Sequence, residues 1–252
     1  MCLPAVHHVG IQSQRFLAGK RAGHFPGGYP RADHGKLNGV IKLIYYTADL
    51  HLGHENVIRH CGRPFADADK MDAALIRNWN DRVHRNDTVY IIGDFLFRAK
   101  RPVEEYLNQL KGRKHLLIGN HDKYWTKKVD LAKWFESVSP LLFITDNGRS
   151  AALCHYPMMT WPGISKGGYM IYGHIHNNTN ADYWPLILEN SLMLNAGVDI
   201  NGFTPVTLDE LIANNARFKR MRKDENSSGS AAGAGSGKTS GYLCIRSPDP
   251  EL

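Results

Sequence analysis

A chain of 252 residues, 42% hydrophobic and 22% charged, can bury one substantial α/β core or, less comfortably, two small ones. No apolar run approaches the ~20 residues of a membrane span. Four scattered cysteines (Cys2, Cys61, Cys154, Cys244) without a C-x-x-C give neither a disulfide framework nor a zinc knuckle. The net charge of +7 sits in the ends: six Lys/Arg against one acid in residues 1–42, seven against four in 216–252, and 18 against 19 between them. A near-neutral middle disfavours a dedicated nucleic-acid surface. The first residues also lack a cationic stretch followed by an apolar one, so the expected location is cytoplasmic.

Residues 1–40, rich in Gly, His, Pro and Arg without periodicity, read as a poorly ordered extension. A strand is expected over 40–48. Met71, Ala74, Leu75, Trp79 and Val83 recur at helical spacing within 68–85. A strand over 88–92 follows, and Pro102 suits the opening of a helix over 103–110. The pattern then predicts a strand at 114–118 and a helix at 127–135. Asp146-Asn147-Gly148 between apolar runs at 141–145 and 150–153 signals a hairpin. A strand over 169–172 and an apolar run over 192–198 follow. Thr207-Leu208-Asp209-Glu210 is a capping box opening a short helix, 208–213. Strands alternating with helices, then hairpins, predict a mixed sheet with helices outside it. The organisation is thus an extension (1–40), one domain (41–215) and a basic, then Gly/Ser-rich tail (216–252). Within the tail, 232–239 satisfies a loose phosphate-loop pattern, but no strand precedes it and too little chain follows, so it reads as flexible.

Five of the strands end in side chains that bind divalent metals: Asp49-x-His51, Gly93-Asp94, Gly119-Asn120-His121-Asp122, His155, and Gly173-His174-x-His176. Ligands just past the carboxyl ends of strands gather along one sheet edge. Seven candidates (Asp49, His51, Asp94, Asn120, His155, His174, His176) are too many for one tetrahedral ion and suit two. Carboxylate mixed with imidazole suits Mn, Fe or Zn better than Mg. His54 is expected to support these ligands. Asp199 could accept a proton from a ligand histidine. Arg63 and Arg98 could clamp a phosphate, and Phe95 or Phe97 could line the pocket. His60, Cys61 and Cys154 read as packing residues.

The ordered set D-x-H, G-D, G-N-H-D, H, G-H-x-H resembles that of the calcineurin-like metallophosphoesterases. Residues 45–65, 79–95 and 116–122 look like the small prokaryotic and phage members. The resemblance covers about 41–213 and implies a four-layer αββα sandwich of two mixed sheets flanked by helices. It also implies that Asp49, His51 and His176 hold one ion, that Asn120, His155 and His174 hold the other, and that Asp94 bridges. A hydroxide between the ions would attack phosphorus, and His121 would protonate the leaving alcohol. Asp122 is the candidate to orient or charge that imidazole. Phe95-Leu96-Phe97-Arg98 follows Asp94 where the protein phosphatases carry G-D-x-V-D-R-G, so a phosphoprotein substrate is disfavoured. The expected activity is a phosphodiesterase on small, nucleotide-like diesters. The alternatives are a broad phosphomonoesterase, a nuclease, and a scaffold that has kept its metals.

Overall fold

Among the described residues, eight short strands make two sheets. In the first, β1 (Ile44–Thr47), β2 (Thr88–Ile92), β3 (Arg113–Leu117) and β4 (Ser137–Ser139) lie side by side in chain order, all parallel. In the second, β5 (Leu141–Asp146), β6 (Arg149–Cys154), β7 (Tyr169–Tyr172) and β8 (Met193–Asn195) do the same, with only β5 and β6 antiparallel. Mixed pairing is therefore confined to the second sheet. Parallel neighbours require crossovers, which α1 (Glu55–Cys61), α2 (Ala68–Arg82) and α3 (Val103–Leu107) supply in the first half. The computed structural model describes residues 42–229; the extension over 1–40, the phosphate-loop pattern at 232–239 and the rest of the chain end lie outside the described residues.

Period-two burial assigns each strand face to a layer. Tyr45, Val89, Ile91 and Leu116 face Val57 of α1, Met71, Leu75 and Trp79 of α2, and Tyr106 of α3. Their neighbours Tyr46, Tyr90, Ile92 and Leu117 face the other way, onto Ile144, Leu153, Ile171 and Leu194 of the second sheet. The far side of that sheet (Ala152, Met170, Tyr172, Met193) packs beneath Trp161 and beneath Trp184 and Ile187 of α4 (Trp184–Glu189). Helix, sheet, sheet, helix is the resulting order. The sheets join at one edge, where Ala48 N donates to Ala196 O (2.9 Å) and Val198 N to Ala48 O (3.1 Å). The carboxyl ends of β1 and β8 therefore meet. No helix among the described residues is long and apolar enough to cross a membrane.

The hairpin forms as its turn residues demand: Asn147 (φ 48°) and Gly148 (φ 80°) both adopt the left-handed backbone that a two-residue turn needs. Four helices differ from expectation, the one expected over 103–110 by stopping at Leu107. The helix over 68–85 stops at Arg82, because Val83 is extended. The helix expected at 127–135 shrinks to one 3-10 turn, Leu131–Lys133, capped by Asp130. Trp125 and Phe135 at its ends are buried in the first core, which holds this stretch as a loop. In the opposite direction, the helix expected over 208–213 runs on as α5 (Leu208–Gly229). Its buried positions past Ala213 carry polar groups: Asn215 bonds the backbone of Asn195, and Lys219 Nζ donates to Asn190 O and Met193 O. An apolar periodicity has no way to register such contacts.

Candidate metal centre

Each ligand candidate lies one to four residues past the end of a strand, and the joined sheet edge brings all seven to one place. Five of them take left-handed backbone: Asp49 (φ 56°), His51 (51°), Asp94 (54°), His174 (71°) and His176 (50°). Asp and His tolerate this region better than most residues, at a cost that clusters at functional sites. Hydrogen bonds hold the turns in place: Asp49 N to Gly93 O (3.0 Å), His51 N to Asp94 O (2.9 Å), and His174 N to Asp49 Oδ1 (2.9 Å). The motif glycines have a steric reason. A Cβ at Gly93 would strike the His155 imidazole, and one at Gly119 would strike the Asp94 carboxylate.

The donors form overlapping clusters in which Asp49 and Asp94 recur. Asp49, His51 and His176 present ligand atoms within 4.8 Å of one another, as do Asp49, Asp94 and His155. Asn120 Oδ1 lies 3.0 Å from both His155 Nε2 and His174 Nδ1. Asp94 Oδ2 stands 3.5 Å from His51 Nε2 and 3.4 Å from His155 Nε2. Second partners orient two imidazoles: His155 Nδ1 donates to Ile92 O (3.0 Å), and His176 Nδ1 meets Asp199 Oδ2 at 2.8 Å. Both rings are thus left with Nε2 facing the centre, the arrangement typical of ligating histidine.

Two buried atoms at this centre, Asp49 Oδ2 and His51 Nε2, have no hydrogen-bond partner. Buried polar atoms without partners are rare and call for an ion or water to satisfy them. The donor set of imidazoles, carboxylates and one amide oxygen fits divalent transition metals.

The protonation pattern fits the same reading. Burial raises the Asp49 carboxyl to about 6, against the pull of His176 and His155. It also holds His51 well below the usual imidazole range, and brings His174 down to about 4, aided in each case by neighbouring positive charge. Burial opposes the charging of His155, yet its bond to Asp94 and the charges of Asp49 and Asp94 push it up to about 9. His176 is raised well above the usual imidazole range, against burial, by the Asp49 charge and by bonds to Asp199 and Cys61. Asp94 falls below the carboxylate range because His155 outweighs its burial.

Three neighbours of the centre, Asp122, Arg63 and Phe95, depart from expectation. Asp122 does not touch His121. Its Oδ2 accepts from Asp94 N and Gly119 N (both 2.8 Å), and its Oδ1 from Phe95 N (3.0 Å) and Trp125 Nε1 (2.8 Å). Those four bonds use up the carboxylate, which acts as a knot between two ligand turns. Arg63 is not a phosphate clamp. It is 4% exposed, paired through Nε and Nη2 with Asp199 (2.8 and 3.0 Å), and bonded to Leu50 O and Asp49 O. Phe95 is fully buried against Trp125 and cannot meet substrate. Arg98 is exposed, but its guanidinium lies over the Phe97 ring, 5.1 Å from the centroid.

His54 does lie beside the ligands: its Nδ1 is 3.2 Å from His51 Nδ1, and burial brings it down to about 4. His121 packs on Phe97 (centroids 4.1 Å apart) and His51 (5.2 Å), with Nε2 4.0 Å from Asp94 Oδ2.

Sequence reasoning missed three residues. Tyr156 sets its ring 4.6 Å from that of His174. Cys61 meets His176 and Asp199. Asn195 donates to the His176 carbonyl (2.7 Å) and accepts from Gly197 N. Only Asn195 left a signal, a lone amide interrupting an apolar run.

No protein-family model matches the chain. It is 32% identical over 175 residues to an uncharacterized protein of Methanocaldococcus jannaschii, MJ1445, an alignment spanning 68% of this chain and 90% of that one. The gene 66 protein of Mycobacterium phage L5 is 28% identical over 189 residues, covering 63% of this chain and 87% of its own. Among solved structures, a protein of unknown function from Aquifex aeolicus, AQ665, superposes with a TM-score of 0.53 at 25% identity, over 67% of this chain and 97% of that one.

Proposed function

We propose that this chain, which belongs to one family with the uncharacterized protein MJ1445 of Methanocaldococcus jannaschii, is a binuclear metal-dependent phosphodiesterase. The observation that carries the proposal is the convergence of seven donors from five strand ends around two buried atoms, Asp49 Oδ2 and His51 Nε2, that lack hydrogen-bond partners. Asp49, His51 and His176 would hold one ion; Asn120, His155 and His174 would hold the other; Asp94 would serve both. When bound, two such ions supply an acidified water and neutralise charge on phosphoryl oxygens.

The chain's own groups do the rest. Ile92 O and the Asp199 carboxylate fix which nitrogens of His155 and His176 face the centre. Asp122 and Arg63 lock the turns that carry the ligands. His121, partly exposed beside Asp94, would give a proton to a departing alkoxide. Arg63 is held by protein oxygens and by Met71 Sδ and has no donor left for a second phosphate charge, which favours a singly charged diester over a dianionic monoester.

The test is to strip the protein with chelator and reconstitute it separately with Mn, Fe, Zn and Mg. Rates on bis(p-nitrophenyl) phosphate and p-nitrophenyl phosphate are then compared. Metal-restored cleavage favouring the diester is expected. Preference for the monoester would make the protein a phosphomonoesterase, and two bound metals with no cleavage of either ester would overturn the enzymatic reading.

A further inference from the structure

A cavity of about 350 Å3 reaches the metal-ligating edge at His174 and is walled by Tyr156, Met159, Tyr183, Leu186 and Ile187. Its walls come from two places. Tyr156 directly follows His155, and its ring stands 5.1 Å from that imidazole and 4.6 Å from His174. Tyr183 caps the start of α4, and Leu186 and Ile187 lie within that helix. Met159 is 70% exposed, Leu186 55%, Tyr156 45% and Tyr183 42%. Single apolar side chains on a surface are ordinary, but four gathered around one cavity mark a binding site.

The lining decides what fits. No Lys, Arg, Asp or Glu is among the residues that line the cavity, so a second phosphate would find no counter-charge there. The volume lies at the low end of ligand pockets, ~300–1,000 Å3, and suits one ring system rather than a strand of nucleic acid. Two tyrosine rings with Met and Leu offer flat, polarisable walls. His121 does not line the cavity; it packs among Phe97, His51 and His54.

We infer that this cavity holds the uncharged aromatic ester group that remains on phosphorus, while the leaving group faces His121. This specificity rests on the phosphodiesterase reading above. In the reaction, water adds its oxygen to phosphorus and gives one proton to solvent. The P–O bond to the leaving alcohol breaks, and that alcohol's oxygen takes the His121 proton, which solvent replaces. The product is a monoester still carrying the ring seated in the cavity.

The experiment uses the full chain loaded with manganese and two esters with the same leaving group, phenyl p-nitrophenyl phosphate and methyl p-nitrophenyl phosphate. The phenyl ester should have a kcat/KM at least about tenfold higher, the scale on which apolar pockets discriminate. Met159→Asp and Leu186→Asp, both at largely exposed positions where folding is spared, should collapse that ratio. Met221→Asp, on the exposed side of α5, should leave it unchanged. Calorimetry gives a readout free of turnover: phenylphosphonate should bind about tenfold more tightly than methylphosphonate, and Leu186→Asp should erase the difference. Equal kcat/KM for the two esters, equal affinity for the two phosphonates, or ratios untouched by both cavity variants would overturn the inference. Cleavage of neither ester would instead overturn the phosphodiesterase reading, with the phosphonate pair still deciding whether the cavity takes a ring.

Discussion

His121 and Asp94 illustrate how closely the groups of the proposed site are packed. The His121 backbone N donates to Asp94 Oδ1 (2.9 Å), while its ring reaches past Oδ2 towards the opening, with about a third of its side chain exposed. Burial lowers its affinity for a proton even as Asp94 raises it, so the imidazolium that would protonate a leaving group is favoured towards acid pH. His121→Ala should keep both metals yet lose ~10²–10⁴-fold in rate on alkyl diesters. The loss should shrink for p-nitrophenolate, which departs without a proton; an equal loss for good and poor leaving groups would remove His121 from that role.

The pH dependence follows from the other histidines. His155, at about 9 when folded, lies above its unfolded value, so it stabilises the metal-free protein fully below pH 6.5. That contribution disappears as pH rises through 9. Asp49, raised to about 6, loses its own contribution in the same direction, between pH 4 and 6. Metal binding needs neutral imidazole and must expel these protons. The metal-free melting temperature should therefore fall between pH 6.5 and 9, while the gain on adding manganese widens. A gain that narrows with pH would contradict the assignment.

Turns, more than helices or strands, are the elements that matter here. The turn after β2 and the turn after β3 face one another, and Asp122 ties them together by accepting from Asp94 N and Phe95 N in the first and from Gly119 N and Trp125 Nε1 in its own. Asp122→Asn is nearly isosteric but presents an NH2 group to two of the four donors. It should cost about 3 kcal/mol, or roughly 10 °C in melting temperature. Loosening the two turns should also weaken metal binding by about 10–100-fold. If thermal melting and metal titration both stay at wild-type values, Asp122 is not the knot described. The buried Arg63–Asp199 pair plays a like part on the other side, joining the loop after α1 to the 3-10 turn Val198–Ile200 and, through Asp199, to His176.

At the scale of the whole molecule, the ligand edge exists because the ends of β1 and β8 are joined, and α5 secures that junction. Asn215 of α5 holds the backbone of Asn195, whose side chain in turn holds the carbonyl of His176. Lys219 reaches the carbonyl of Met193, the first residue of β8, and that of Asn190 just before it, from the next turn of the helix. A chain ending after Lys223 should keep its melting temperature and metal content. One ending after Ala213, where the short helix was expected to stop, should lose both. Equal behaviour of the two truncations, read by calorimetry and metal analysis, would show that α5 does not secure the edge.

The amino-acid sequence by itself determined the strand ends, the hairpin turn and the seven residues that meet at the candidate metal centre. Each of these is a local matter: a glycine where a side chain would collide, a polar residue where an apolar run stops, a turn pair that accepts positive φ. What Arg63, Asp122, Phe95 and the second half of α5 do was decided only by the tertiary structure. Arg63 and Asp199 are 136 residues apart, and Asp122 bonds to backbone 28 residues away. Nothing in a short window distinguishes a guanidinium or carboxylate that will be consumed by a distant partner from one left free for substrate. Burial and hydrogen bonding are set by which surfaces meet, and those surfaces are brought together only when the two sheets pack.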